Sequence, residues 1–113
     1  MHELHAMQAV LQKAVDKANA AGARRVTHVH LALGEASAYR RDALQFHWDE
    51  ISRGTVAEGA LLHFRRVPLE AQCMSCFTIY QPQNGEIVCP TCGGVGAKLL
   101  AGEEFYLEAV DVG

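Results

Sequence analysis

The sequence has no long apolar run and no excess of basic residues, and these absences exclude several classes of protein. Its apolar stretches are a few residues long, far short of the roughly 20 that span a bilayer. Lysine and arginine number 10 against 13 acidic residues, for a formal net charge of -3, which argues against generic nucleic-acid binding. The first residues also lack the basic region and apolar run of a secretory leader. We therefore expect a cytoplasmic protein that binds neither membrane nor nucleic acid.

Sequence motifs for catalysis are also lacking. No Gly-rich phosphate loop is present, and Ser37, Ser52 and Ser75 lie in no nucleophile elbow or triad motif. A metal-dependent enzyme would need an open metal site beside a general base, and only Glu3 next to His2 comes near that arrangement. The sequence therefore favours a protein that is not an enzyme.

Hydrophobic spacing indicates two helices and three strands. With 113 residues, half of them hydrophobic, the chain can bury one modest core. Apolar residues recur at helical spacing in two segments and alternate in three others. The sequence thus predicts an α+β fold, with two helices packed on a small three-stranded sheet. The helices are expected at residues 4–20 and 41–53 and the strands at 26–33, 60–67 and 103–112.

Two of the predicted strands carry further information in their alternation. In the last strand, the alternation changes phase near Ala109, which predicts a β-bulge. In the first, His28 and His30 would share the solvated face. The opposite, apolar face would carry Thr27, Val29, Leu31 and Leu33.

Four cysteines form the most specific motif, C-x2-C-x12-C-x2-C, made of Cys73, Cys76, Cys89 and Cys92. Two residues between cysteines allow a tight turn to direct both thiolates at one ion, and two such turns supply the tetrahedral sulfur set that Zn(II) favours. Four thiolates leave no open position, so the zinc would be structural. Iron is the alternative ion, and disulfides are disfavoured without an export signal.

The cysteine segment is expected to be an insertion that folds around its metal. Its 12-residue spacer is long enough for two short strands, and its few apolar residues cannot form a core alone. We therefore predict an α/β domain of residues 1–69 and 103–113, and a zinc-ribbon domain of residues 70–102.

The amino terminus offers a second set of metal ligands. The Met1 amine, the His2 backbone nitrogen and the His2 imidazole can close small chelate rings around one ion, and the bulk of His2 should preserve Met1. A tetragonal all-nitrogen set suits Ni(II) or Cu(II). The remaining position is open to Glu3, to His5 one helical turn on, or to a more distant histidine.

The other histidines carry weaker indications. His28 and His30 could chelate a metal as neighbours on one strand face, although such a pair is more often a solvated surface. His47 and His63 have no evident partner and are expected to be structural or exposed.

Taken together, these motifs resemble the HypA/HybF family of hydrogenase nickel-maturation proteins. The similarity runs from one end of the chain to the other, and it lies in the order and spacing of the motifs. They are MHEL at residues 1–4, LALGE at 31–35, GTVAEGA at 54–60, VP at 67–68 and the two CxxC units.

The resemblance implies a metallochaperone with Ni(II) as cargo. It implies delivery of Ni(II) to the large subunit of [NiFe]-hydrogenase in cooperation with a nickel-handling maturation GTPase, and some relatives also serve urease. By position, His2 would be the nickel ligand with the Met1 amine and the Glu3 backbone beside it, and the Glu3 side chain would serve GTPase docking.

The sequence departs from the family pattern at His5, where a small residue is common, and at His28 and His30, where basic residues are common. His5 is therefore a candidate extra nickel ligand. A zinc-ribbon adaptor without a second metal is the rival interpretation, but residues 73–102 contain a single Lys98 and no arginine, which disfavours nucleic acid as its partner. The sequence leaves open whether the chain forms a homodimer.

Overall fold

The computed structural model describes residues 2–83 and 85–113 and shows an elongated α+β protein measuring 55 × 26 × 17 Å. The predicted fold class is confirmed, with two helices and two three-stranded sheets. No helix in this described part is long and apolar enough to cross a membrane. The elements are α1 His2–Ala20, β1 Val26–Gly34, α2 Arg41–Ile51, β2 Leu61–Val67, β3 Glu70–Cys73, β4 Ile79–Tyr80, β5 Ala97–Ala101 and β6 Phe105–Val112.

The first helix is amphipathic and packs its apolar stripe into the larger core. Met7, Val10, Ala14 and Ala18 recur every three or four residues and are all buried, as one face of a 3.6-residue period requires. The helix ends at Ala20, and Gly22 just beyond it has a φ of 63°, the left-handed conformation that glycine adopts without strain. This stop lies where the sequence predicts it.

The first sheet has the strand order β2-β1-β6, with β1 parallel to β2 and antiparallel to β6. Parallel strands need a crossover, and α2 supplies it between β1 and β2. Val29 and Leu31 of β1 are fully buried together with Leu44 and Trp48 of α2. The Trp48 indole N–H donates to the Ala60 carbonyl at 3.3 Å, which satisfies the polar atom of this buried ring.

Two β-bulges shape this sheet. The partner of Leu31 is Leu107 and that of His30 is Ala109, so Glu108 is an extra residue and the predicted bulge in the last strand is confirmed. A second irregularity, between Val26 and His28, was not predicted. Because of it, Val26 is buried and Thr27 is half-buried, so the expectation that Thr27 faces the core was wrong.

The second sheet, with strand order β4-β3-β5, is formed by the cysteine segment. Its buried apolar cluster is small and consists of Ala71, Cys73, Tyr80 and Cys89. Two short strands were expected between the cysteine pairs. Within the described residues, the spacer holds only β4 and an isolated bridge between Gln83 and Glu86. Most of the pairing in this sheet is between β3 and β5, which lie outside the spacer.

The two sheets are joined by a tightly packed crossing of two chain segments. A Cβ at Gly34 would clash with the carbonyl of Gly102, and a Cβ at Gly102 would lie 2.6 Å from the Leu69 Cα. The Ala36 N–H donates to the Gly102 carbonyl at 2.7 Å, and the Gly34 N–H to the Glu104 carbonyl at 2.7 Å. Backbone contact of this kind requires glycine.

Candidate metal centres

The four cysteines converge on one point at the end of the second sheet. All their sulfur atoms lie within 4.8 Å of one another. The Cys73 and Cys92 sulfurs are 3.5 Å apart and those of Cys76 and Cys89 3.6 Å apart. Tetrahedral ligation with bonds of about 2.3 Å would place sulfurs about 3.8 Å apart. All four lie in the described part of the chain as free thiols, and the geometry fits a single ion.

Two similar backbone turns position these thiols. In the first, the Phe77 N–H donates to the Cys73 carbonyl at 3.0 Å, and in the second, the Gly93 N–H donates to the Cys89 carbonyl at 2.8 Å. The residue after each second cysteine has positive φ, 64° at Phe77 and 74° at Gly93. One cysteine of each pair, Cys73 and Cys89, is buried, so both turns are anchored in the small core.

Hydrogen bonds and sulfur contacts shift the pKa values of Cys73, Cys76 and Cys92 in different directions. The Thr78 side chain and backbone lower the pKa of the Cys76 thiol to about 6, and the Cys76 and Ser75 N–H groups lower the pKa of Cys73. The Gly94 N–H favours a Cys92 thiolate, but contacts with the other three sulfurs raise the pKa of Cys92 to about 12. Four like-charged sulfurs at this spacing repel, so a cation is needed to keep all of them ionised.

The amino-terminal residues proposed as nickel ligands lie on the first turn of α1. His2 and His5 are exposed and Glu3 is half-buried. The Glu3 carboxylate accepts a bond from the Arg40 N–H at 3.3 Å, and the N–H groups of Glu3 itself and of Arg40 lower its pKa. The side chains of His2, Glu3 and His5 do not converge as a ready cluster. The Met1 amine lies outside the described residues.

A third group of polar ligands lies on the open face of the first sheet, and the sequence indicates it only in part. His28 and His30 share this face as expected, but His63, expected to have no partner, contacts His28, and Asp111 contacts His30. Sequence spacing within one strand cannot identify cross-strand neighbours, since these depend on register. The one indication in the sequence was the alternation of apolar Leu62 and Phe64 with His63, which places His63 on the solvated face of its strand.

Comparison with known proteins gives one consistent result. A family model described as "Hydrogenase/urease nickel incorporation, metallochaperone, hypA" matches residues 1–112. The chain is 37% identical over 112 residues to the hydrogenase maturation factor HypA of Dehalococcoides mccartyi, covering 99% of this chain and 94% of that protein. For the HypA of Roseiflexus sp., the identity is 40% over 112 residues, with 98% of this chain and 91% of that protein covered.

Two solved structures share the fold. A solution structure of HypA protein superposes with a TM-score of 0.74 at 20% identity and covers 99% of this chain and 96% of that one. The solution structure of the Ni metallochaperone HypA from Helicobacter pylori gives a TM-score of 0.66 at 19% identity, covering 97% of this chain and 96% of that one. The likeness extends over both sheets.

Proposed function

Because the chain belongs to the HypA family of nickel-incorporation metallochaperones, we propose that it binds Ni(II) at its amino terminus and delivers the ion during maturation of [NiFe]-hydrogenase. The four cysteines would hold a structural Zn(II). The first donor set is nitrogen-rich and its His2 side chain is exposed, whereas the second is all sulfur and half-buried. These are the environments of an exchangeable and a permanent ion, respectively.

The observation that carries the nickel proposal is that His2 and Glu3 lie in the first turn of α1. The first four N–H groups of a helix have no intrahelical acceptor. The backbone nitrogens of His2 and Glu3 are therefore available as nickel ligands at no cost in helical hydrogen bonds. Together with the Met1 amine and the His2 imidazole, they would give a nitrogen-rich donor set that suits Ni(II).

The position of Glu3 supports a backbone role for this residue. One oxygen of its carboxylate accepts the Arg40 N–H, so the side chain is already engaged with the segment before α2. We propose that Glu3 contributes its backbone nitrogen and that its side chain ties the start of α1 to the segment before α2. His5 lies one turn on in the same helix, so it shares a helix face with His2 and stays a candidate extra nickel ligand.

The zinc proposal is supported by the fit of the sulfur atoms. Two contacts across the cysteine pairs, 3.5 and 3.6 Å between sulfur atoms, are slightly shorter than the sulfur separations of a tetrahedral zinc site, and the set is complete without water. The ion would balance the charge of the thiolates and hold two turns that the four-residue cluster around Ala71 cannot hold alone. No chemistry beyond this structural role is required of it.

For partners, we propose the nickel-handling maturation GTPase and the large subunit of [NiFe]-hydrogenase, with urease as an alternative recipient. Exposed apolar residues on the cysteine segment favour protein docking there, so a zinc-ribbon adaptor remains the second candidate. Those residues are Met74, Phe77, Ile79, Val88, Val95 and Leu100.

A delivery assay separates the two functions. Zinc-loaded protein carrying Ni(II) is mixed with the GTPase and the nickel-free hydrogenase large subunit in the presence of a competing chelator, and nickel in the large subunit is measured. We expect transfer from the native chain and none above the chelator background from His2→Ala. Equal transfer from both would leave the adaptor as the better interpretation.

A further inference from the structure

The open face of the first sheet brings together three imidazoles and a carboxylate from three adjacent strands. His28 and His30 lie on β1, His63 on β2 and Asp111 on β6. In the ladder register, His63 is opposite His30 and Asp111 is opposite His28. We call these four residues the sheet-face tetrad. Each strand position is fixed by backbone pairing, so the sheet holds the four residues side by side. Two pairs of their ligand atoms are in contact, but no three of these atoms converge as the cysteine sulfurs do.

The side chains of the tetrad are already in contact. The His28 Nδ1 and His63 Nε2 atoms are 2.8 Å apart, and the His30 Nε2 is 3.0 Å from an Asp111 carboxylate oxygen. The His30 and His63 rings are stacked with centroids 4.8 Å apart. All four residues therefore form one connected cluster.

The short nitrogen–nitrogen contact resembles an edge of a metal coordination sphere. Two imidazole nitrogens bound at right angles with metal–nitrogen bonds of 2.0–2.1 Å lie about 2.9 Å apart, close to the 2.8 Å between His28 and His63. This contact is a hydrogen bond in which one ring nitrogen donates and the other accepts, and a protonated imidazole has no acceptor. At least one of the two rings is therefore neutral, and its lone pair would pass from the hydrogen bond to a bound ion. A small turn of the His30 ring from Asp111 would add the third nitrogen.

The bulges of the sheet appear on both sides of the tetrad. One lies between Val26 and His28 and the other at Glu108, and together they set which β6 residue faces His28. The Thr27 hydroxyl donates to the Asp111 backbone carbonyl at 3.1 Å, which fixes the first bulge against β6. Bulges commonly re-aim a side chain beside a functional site.

Neighbouring charges leave the tetrad open to a cation. The nearest basic side chain on this face along β2, Arg65, is bound to both Glu108 carboxylate oxygens at 2.9 and 3.1 Å and to the Tyr106 hydroxyl at 3.0 Å. Its charge is thus compensated locally. The side chains of His30 and Asp111 are 37% and 54% exposed, so an ion can enter from solvent without rearrangement of the core.

We propose that the sheet-face tetrad binds a divalent transition-metal ion of the class that imidazole prefers, Ni(II) or Zn(II). It would be the second exchangeable metal site of the chain, after the amino-terminal one. Three nitrogens and one carboxylate oxygen leave positions for water or for a ligand from a partner. The site shares no residue with the amino-terminal nickel site or the cysteines, so it stands or falls independently of the proposed function.

The test is a calorimetric titration of zinc-loaded full-length protein, in separate arms with Ni(II) and Zn(II). Four chains are compared: native, His2→Ala, His30→Ala/His63→Ala, and the combination of all three substitutions. His47→Ala, on α2 and outside the tetrad, is the matched histidine control, and circular dichroism checks that each variant is folded.

The stoichiometry separates the two sites. We expect the His2→Ala chain to keep one equivalent of ion, the combined variant to bind at least tenfold more weakly, and His47→Ala to behave as native. Preference between Ni(II) and Zn(II) in the His2→Ala chain identifies the ion. If His2→Ala binds no ion of either kind, or if the combined variant binds as well as His2→Ala, the tetrad is not a metal site.

Discussion

At the residue scale, the two cysteine turns differ in the residue that follows the second cysteine. Phe77 and Gly93 follow the second cysteine of their turns, and both adopt positive φ. This conformation costs a residue with a Cβ about 1–2 kcal/mol and costs glycine little. The second turn therefore uses the residue suited to it, whereas the first bears strain at an exposed phenylalanine.

Gly93→Ala tests this requirement. A Cβ at Gly93 meets no atom within 4 Å, so the penalty arises from φ alone, and we expect zinc affinity to fall about tenfold, equivalent to about 1.4 kcal/mol. The measurement is competition with a chromogenic chelator. Gly96→Ala is the control, since Gly96 has open space and no positive φ; equal losses in both variants would refute the conformational explanation.

Tyr80 presents a different residue-scale problem. Its hydroxyl is buried without a hydrogen-bond partner among the described residues, and burial and the nearby cysteine sulfurs raise its pKa. An unsatisfied buried hydroxyl costs free energy. We expect Tyr80→Phe to leave the thermal stability of the zinc-loaded protein equal or higher, as measured by calorimetry. A loss of more than about 1 kcal/mol would show that the hydroxyl has a partner when metal is bound.

At the scale of elements, hydrophobic periodicity predicted both helices and the three strands of the first sheet to within a few residues. It could predict the bulge at Glu108, because a bulge changes the phase of alternation within one strand. It missed the irregularity at Thr27, because Thr27 is compatible with either face. It also missed the contact of His63 with His28, which depends on the pairing of separate strands.

The element-scale prediction concerns two leucines on adjacent strands. Leu31 of β1 is fully buried, whereas Leu61 of β2 is 58% exposed. We expect Leu31→Ala to lower the free energy of unfolding by about 2–5 kcal/mol and Leu61→Ala to change it by less than about 0.5 kcal/mol. Urea unfolding measures both. Similar effects of the two substitutions would mean that the helices do not cover the face of the sheet that carries Leu31.

At the scale of the whole molecule, two apolar clusters lie on either side of the glycine crossing. The larger one joins α1, α2 and the first sheet, and the smaller one surrounds two of the cysteines. The sequence predicts one domain of residues 1–69 and 103–113 and another of residues 70–102. Each apolar cluster lies within one of these domains, and the division stays a prediction. The cysteine spacing foretold the convergence of the sulfurs, but not the packing of Gly34 against Gly102.

Removal of metal tests the division. We expect a strong chelator to broaden or shift the amide NMR signals of β3, β4 and β5, because the small cluster lacks the apolar area to fold alone. Signals of α1 and β1 should persist, since their core is separate. Uniform loss of all signals would show one cooperative unit, and unchanged signals would show that the cysteine segment needs no metal.

The central claim, that nickel binds at the amino terminus, is tested most directly by a calorimetric Ni(II) titration. The chain is zinc-loaded, has a free Met1 and carries His30→Ala/His63→Ala to remove the sheet-face tetrad. It is compared with the same chain bearing His2→Ala and with one extended by a single residue before Met1, which converts the amine into an amide. We predict one nickel equivalent in the first chain and none of comparable affinity in the other two. Equal binding by all three would contradict the account.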